Sequence, residues 1–266
     1  MKLCIGSVAD QEVEREHIVQ DAGSDDGTLS WLTTDSRVKA FVEKDRGMYD
    51  AVNRGCRRAA GDPLACLDCD EQYLPGALTK VAAFFDRRPE VGVLFGHCIV
   101  VDGMGSNICE RRSPTPQLLH TWTASNPAFL TAVTFIRRRM LDTLKLWFNP
   151  DYRDAGDQDW ALRLVQARVK TAVLPEFLSV FTETGAYVNL GANALRESEE
   201  FHATAPLWVR ALAPGALAHF RWRRWCAGHY RCTPHDYAIY TEESPTRRKT
   251  FRVAHPTFRW VRPASA

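Results

Sequence analysis

No stretch of this chain is apolar for long enough to cross a bilayer, and the opening MKLCIGSVADQ is too polar and too short for a secretory leader. Charge of one sign is also lacking. Thirty-four Lys and Arg stand against 32 Asp and Glu, a formal +2 that gives no reason to expect a nucleic-acid partner. Repeats and low-complexity tracts are absent. The eight cysteines (Cys4, Cys56, Cys66, Cys69, Cys98, Cys109, Cys226 and Cys232) have no recurring spacing. Cys66 and Cys69 have C-x-x-C spacing, yet no second pair or His pair stands near, and carboxylates flank Cys69. This argues against a zinc site and for reduced thiols in a cytosolic protein. The Gly-rich loop ending in Lys-Ser/Thr that cradles phosphate in many phosphotransferases is missing too.

What is present is an ordinary globular composition, 45% hydrophobic and 25% charged over 266 residues, enough to bury a full core. The charge is unevenly spread: residues 201–266 carry eleven Lys and Arg against three Asp and Glu. A basic, Trp-bearing tail suits an anionic lipid surface. A solvated basic face is the commoner outcome, and the run Phe220–Trp225 (FRWRRW) is expected to turn its rings inward.

Hydrophobic patterning predicts strands at His17–Asp21, Val38–Glu43, Leu64–Leu67, Val91–Val101 (interrupted near Gly96) and Thr171–Leu174. Helices are expected from Thr28, over Met48–Ala60 with Gly61-Asp62-Pro63 as the stop, and over Leu78–Phe85. Alternation of this kind argues for an α/β fold with a mostly parallel sheet, ligands binding beyond the carboxyl ends of the strands. The polar clusters fall there: Asp21 after one strand, and Asp68 with Asp70 after another. Two carboxylates on alternate residues at a strand end can face one divalent ion, and their hard oxygens suit Mg²⁺ or Mn²⁺; an exposed acidic turn has the same spacing.

Three blocks in order make the pattern specific. EHIVQDAGSDDGT, EKDRGMYDAVNRGCRRAAGD and LACLDCDEQYLPGAL resemble those of family 2 glycosyltransferases, and the resemblance spans about residues 5–185. It implies a GT-A fold and inverting transfer of a sugar from a nucleoside-diphosphate sugar, UDP by expectation, to a saccharide or lipid-linked acceptor in polysaccharide or glycoconjugate assembly. Asp21 would then hold the base, and Asp45 and Arg46 the nucleotide or its diphosphate. Asp68 would contact the donor and, with Asp70, the Mn²⁺ or Mg²⁺. A fourth block, Ala155–Arg163 (AGDQDWALR), resembles the acceptor-side motif in which Asp157 would be the general base, with Gly156 where Glu is usual. Arg137 and Arg138 resemble a step before the acceptor loop, where a phosphate or a structural role fits. Phe181–Gly185 resembles a lid over the diphosphate.

The family opens with a strand in the sheet centre, and here Met1 falls inside the helix that follows it. The first strand is therefore expected to be absent, which leaves an inactive nucleotide-sugar-binding remnant as the alternative. The expected organisation is a transferase domain over 1–190 and a basic, aromatic-rich helical and irregular extension over 191–266. The expected location is cytoplasmic, with possible peripheral contact to the inner face of the plasma membrane through that extension.

Overall fold

The computed structural model describes residues 1–124, 128–183 and 191–260. In chain order the elements are α1 (Lys2–Ala9), β1 (Ile18–Asp21), α2 (Leu29–Leu32), β2 (Lys39–Val42), α3 (Met48–Arg58), β3 (Leu64–Ala65) and β4 (Gln72–Tyr73). Then come α4 (Ala77–Arg87), β5 (Val93–Asp102), β6 (Asn107–Arg112), α5 (Leu118–Thr123), a 3-10 turn (Thr131–Val133), β7 (Thr134–Ile136) and α6 (Arg138–Asp142). The chain continues through α7 (Gly156–Gln166), β8 (Thr171–Glu183), α8 (Ala192–Ala203), α9 (Leu207–Cys226), β9 (His235–Thr241) and β10 (Ser244–Val253).

The α/β class expected from the sequence holds. Strand direction needs correction: the six-stranded sheet, ordered β3-β7-β5-β8-β4 with β6 on β5, is mixed. Among the described residues only β1 with β2 and β5 with β8 run parallel; β3–β7, β5–β7, β4–β8 and β5–β6 are antiparallel. The cause is connection length. Parallel neighbours need a crossover of a dozen or more residues, whereas β5 returns as β6 through the tight turn around Gly103–Gly105. The C-terminal part is also more regular than expected, because β9 and β10 form an antiparallel hairpin.

β5 is the spine, buried along nearly its whole length. Its register against β8 shifts at Phe95/His97, next to Gly96. A Cβ on Gly96 would lie on the Leu178 side chain, 2.9 Å from its Cγ, so the interruption seen in the sequence marks a close approach of two strands. One face of the sheet carries a cluster built on Tyr49, Phe95, Phe129, Phe148 and Trp160. The other carries Val81, Phe85, Leu94 and Leu178 under α4 and α1. Tyr237, Ile239 and Val253 of the hairpin close a third cluster on Ile99, Val101 and Val180. The segment after residue 191 thus shares its core with the preceding one.

β1 and β2 form a ladder separate from the six-stranded sheet. Between β1 and β3 lies a cavity of about 960 Å³, with Ile5 and Val8 of α1 on one side and Val52 and Cys56 of α3 on the other. The edge of β1 opposite β2 and the edge of β3 opposite β7 have no strand partner among the described residues.

The FRWRRW run also departs from expectation. Phe220 packs inward, stacked on His120 with centroids 3.5 Å apart, but Trp222 and Trp225 point outward. Arg223 and Arg224 are the half-buried members of the run.

Gly96→Ala is expected to lower stability by about 1–3 kcal/mol through overpacking against Leu178. Urea unfolding should show the lower midpoint with an unchanged slope.

Candidate active site

Asp21 closes β1, and its carboxylate is largely committed to its own turn. Oδ1 accepts the N–H groups of Gly23 and Ser24, both at 2.7 Å, and Oδ2 accepts the Ser24 hydroxyl at 2.7 Å. Burial pushes the carboxyl up, but the Ser24 N–H and hydroxyl and the Gly23 N–H outweigh it and hold it below its ordinary value. A carboxylate has about four acceptor sites, so about one remains for a ligand N–H.

Asp45 and Arg46 follow β2 at the same end of the β1–β2 ladder, where Asp21 lies opposite Val42. The Asp45 carboxylate accepts the Gly47 N–H at 2.9 Å, and Gly47 has φ 135°, a conformation that favours glycine. Arg46 has an exposed guanidinium, 3.9 Å from both Asp50 and Asp151. At those distances it is held loosely and can turn to an incoming anion. Asn53, on the next turns of α3, clamps Phe148 with both its amide atoms: Nδ2 donates to the carbonyl at 2.7 Å, and Oδ1 accepts the N–H at 3.0 Å.

Asp68, Cys69 and Asp70 form the turn between β3 and β4. Sequence reasoning passed over the residue that fixes it: Glu71 is buried, and its carboxylate accepts the Asp68 N–H at 2.9 Å. Thr182 at the end of β8 donates to the Asp70 carbonyl at 2.6 Å, tying the turn to the long strand. Burial, then the Asp70 charge, pushes the Asp68 carboxyl above its ordinary value. No cluster of three or more His, Cys, Asp or Glu with metal-binding placement occurs among the described residues. The pair itself fits a hard divalent cation: two carboxylates, neither in an ion pair among the described residues, at an accessible turn. Mg²⁺ and Mn²⁺ commonly take only one or two protein carboxylates and complete their shell with phosphate and water.

Asp157 sits in the first turn of α7, where backbone N–H groups favour a carboxylate. Its Oδ1 accepts the Gln158 N–H at 2.8 Å, and its own N–H donates to the Tyr49 hydroxyl at 3.1 Å. Burial pushes the carboxyl up to about 6, against the lowering effect of the Gln158 and Asp157 N–H groups and the Tyr49 hydroxyl. Asp159 is occupied differently, paired with Arg163 at 2.7 Å along the helix. The two aspartates therefore do not compete for one role.

Gly156 is explained by Tyr49. A Cβ there would come within 2.6 Å of the Tyr49 ring, so the ring occupies the space that a side chain at 156 would need. Ahead of the helix, Glu197 of α8 accepts N–H groups from Arg153, Asp154 and Ala155 at 2.9–3.0 Å. Gln158 donates to the Thr121 carbonyl of α5 at 3.1 Å. Tyr49 and Glu197 were not singled out from sequence. Their partners lie 108 and about 43 positions away, and no local pattern announces such contacts.

Gln20 (before Asp21), Met48 (after Gly47) and Asp68 all line the cavity between β1 and β3. Tyr49 then links the Asp45–Gly47 loop to Asp157. Arg137 and Arg138 stand apart from this arrangement. Arg137 pairs with Asp62 at 3.0 Å, and Arg138 donates its guanidinium to the Gly61 carbonyl and its backbone N–H to the Asp62 carboxylate, a structural tie between β7 and the end of α3. The expected lid at Phe181–Gly185 lies partly outside the described residues.

The sequence profile of "Glycosyl transferase family 2" matches residues 1–145, more than half of the chain. An uncharacterized glycosyltransferase of Nostoc sp. is 27% identical over 108 residues, 39% of this chain and 33% of its own. A PGL/p-HBAD biosynthesis glycosyltransferase of Mycobacterium bovis is 32% identical over 104 residues, 36% of this chain and 41% of its own. The chain thus aligns with only a third to two-fifths of the length of these curated relatives. Among solved structures, S. aureus TarS superimposes with a TM-score of 0.57 at 20% identity, over 84% of this chain and 40% of TarS. TarS 1–349 in complex with UDP gives 0.55 at 19% identity, over 84% of this chain and 67% of that one. At such identity the likeness establishes a shared fold. Together with the order of the blocks and the strand-end carboxylates, the profile match places the chain in glycosyl transferase family 2.

Proposed function

We propose that this protein transfers a sugar, with inversion, from a nucleoside-diphosphate sugar to an acceptor hydroxyl of a saccharide or lipid-linked molecule. The observation that carries the reading is Asp157, a carboxylate fixed by Tyr49 and Gln158 at the start of α7 and pushed up to about 6 by burial. A base poised near neutrality is what proton removal from a hydroxyl requires. The Asp157 carboxylate takes the acceptor proton as the acceptor oxygen bonds to the anomeric carbon, and the bond to the diphosphate breaks on the opposite face. Asp21 receives the base N–H on its remaining acceptor site, and Asp45 and Arg46 meet the nucleotide and its diphosphate. Asp68 and Asp70 would hold Mn²⁺ or Mg²⁺, which would supply positive charge against the diphosphate. UDP and UDP-GlcNAc in the TarS complexes support UDP as the nucleotide.

A second reading, donor binding without turnover, is favoured by the open space between β1 and β3. Product formation with UDP-sugars and Mn²⁺ tells the two apart.

Asp157→Asn should lower kcat by about 10²–10⁴-fold while a UDP-sugar still raises the melting temperature as in the parent. Full turnover in this variant would remove the base assignment. A carboxyl raised to about 6 is a working base above that pH and is protonated below it. kcat/KM should therefore fall about tenfold per unit as pH drops below about 6, and the Asn variant should lack this limb. Asp68→Asn with Asp70→Asn should weaken activation by Mn²⁺, read as a rightward shift of the metal titration, with the fold unchanged by circular dichroism.

A further inference from the structure

Helix α9 carries its bulky apolar residues on the wrong side for a helix that serves only its own core. Toward the protein it presents Val209, Ala216 and the ring of Phe220. Outward stand Leu207 (81% exposed), Trp208 (52%), Leu212 (51%), Trp222 (59%) and Trp225 (66%). At 100° per residue these five fall within an arc of about 140°, with Leu207 and Trp225 in line. They form one stripe along the helix.

The charge around the stripe has one sign. Leu207–Cys226 contains Arg210, Arg221, Arg223 and Arg224 and no Asp or Glu. Arg210 and Arg221 are exposed beside the stripe, and neither makes an ion pair among the described residues. At the other edge, Trp222 and Arg223 help line a cavity of about 660 Å³ whose lining contains no carboxylate. Two of its walls, His97 and His229, are buried imidazoles whose Nδ1 atoms have no partner.

We propose that α9 docks on an anionic lipid bilayer, with its Trp and Leu side chains in the interface and Arg210 and Arg221 against lipid phosphates. Indole rings favour the boundary between water and hydrocarbon, and arginines beside them draw the helix to negative lipid. A second copy is the poorer occupant. A symmetric pairing would set this face against itself, with the arginines of both copies meeting and no carboxylates on either helix to compensate. The helix lies on the membrane, since no helix among the described residues is long and apolar enough to cross one. Phe220 stacks on His120 of α5, and α5 receives Gln158 beside Asp157, so docking would set the site close to the lipid surface. That last consequence rests on the proposed function; the docking does not.

The test is co-sedimentation of the full chain with vesicles of phosphatidylcholine alone and of phosphatidylcholine mixed with phosphatidylglycerol, with sedimentation velocity of the protein alone. The expected result is binding to the mixed vesicles, weakened by added salt. Affinity should fall about tenfold or more in Trp222→Ser/Trp225→Ser and in Arg210→Gln/Arg221→Gln. All four side chains are exposed, so circular dichroism and melting should be unchanged; should the Trp pair fail that control, the Arg pair and the salt series decide. No binding to the mixed vesicles, or equal binding by the Arg variant, overturns the proposal. So does a concentration-dependent dimer, lost in the Trp variant, in a protein that ignores vesicles; a second copy would then cover the stripe.

Discussion

The ring of Tyr49 lying on the backbone of Gly156 is the contact on which the start of α7 depends. It comes from the first turn of α3, directly after the Asp45–Gly47 loop, and it ends on the N–H of Asp157. One side chain thus ties the Asp45–Gly47 loop to the start of α7. The cost is a glycine at 156, because no Cβ fits beneath the ring. Glu197 completes the restraint by gathering three N–H groups just ahead of the helix. Buried N–H groups left unpaired would cost about 1–3 kcal/mol each, so this carboxylate gives the loop one arrangement instead of several.

The carboxylates of the site differ by what surrounds them. Asp21 and Glu197 accept several N–H groups each, and these outweigh burial and favour the charged form. Asp157 accepts fewer and is pushed the other way. Asp68 has a like charge nearby and no cation paired to it. The same functional group is therefore held charged in two places and pushed toward its neutral form in others, and hydrogen-bond supply separates the two.

Two surfaces have no partner among the described residues. The edges of β1 and β3 border a cavity lined by both apolar and charged residues, and the outer face of α9 carries tryptophans into solvent. Unpaired strand edges and exposed aromatic stripes both carry unsatisfied binding capacity, polar in the first case and apolar in the second. Gln20, Met48 and Asp68 line the first; the second adjoins α5, which supports α7.

The sequence alone determined whatever depends on short spacing. β1, β2, α3, α4 and β5 fell close to their expected positions because hydrophobic period and stop residues act within a few neighbours. The interruption at Gly96 was visible for the same reason. The family was legible because its blocks are contiguous strand-end loops. Only the tertiary structure decided the strand directions, which follow from where distant segments pair, and the hairpin after residue 235, whose apolar face becomes meaningful only against Ile99 and Val180. It also decided which way Trp222 and Trp225 turn. Period fixes which residues share a helix face, but the neighbour that covers or leaves that face comes from elsewhere in the chain. Tyr49 and Glu197 were hidden on the same ground: each acts on a partner far away in sequence, and long-range contact leaves no mark in local pattern.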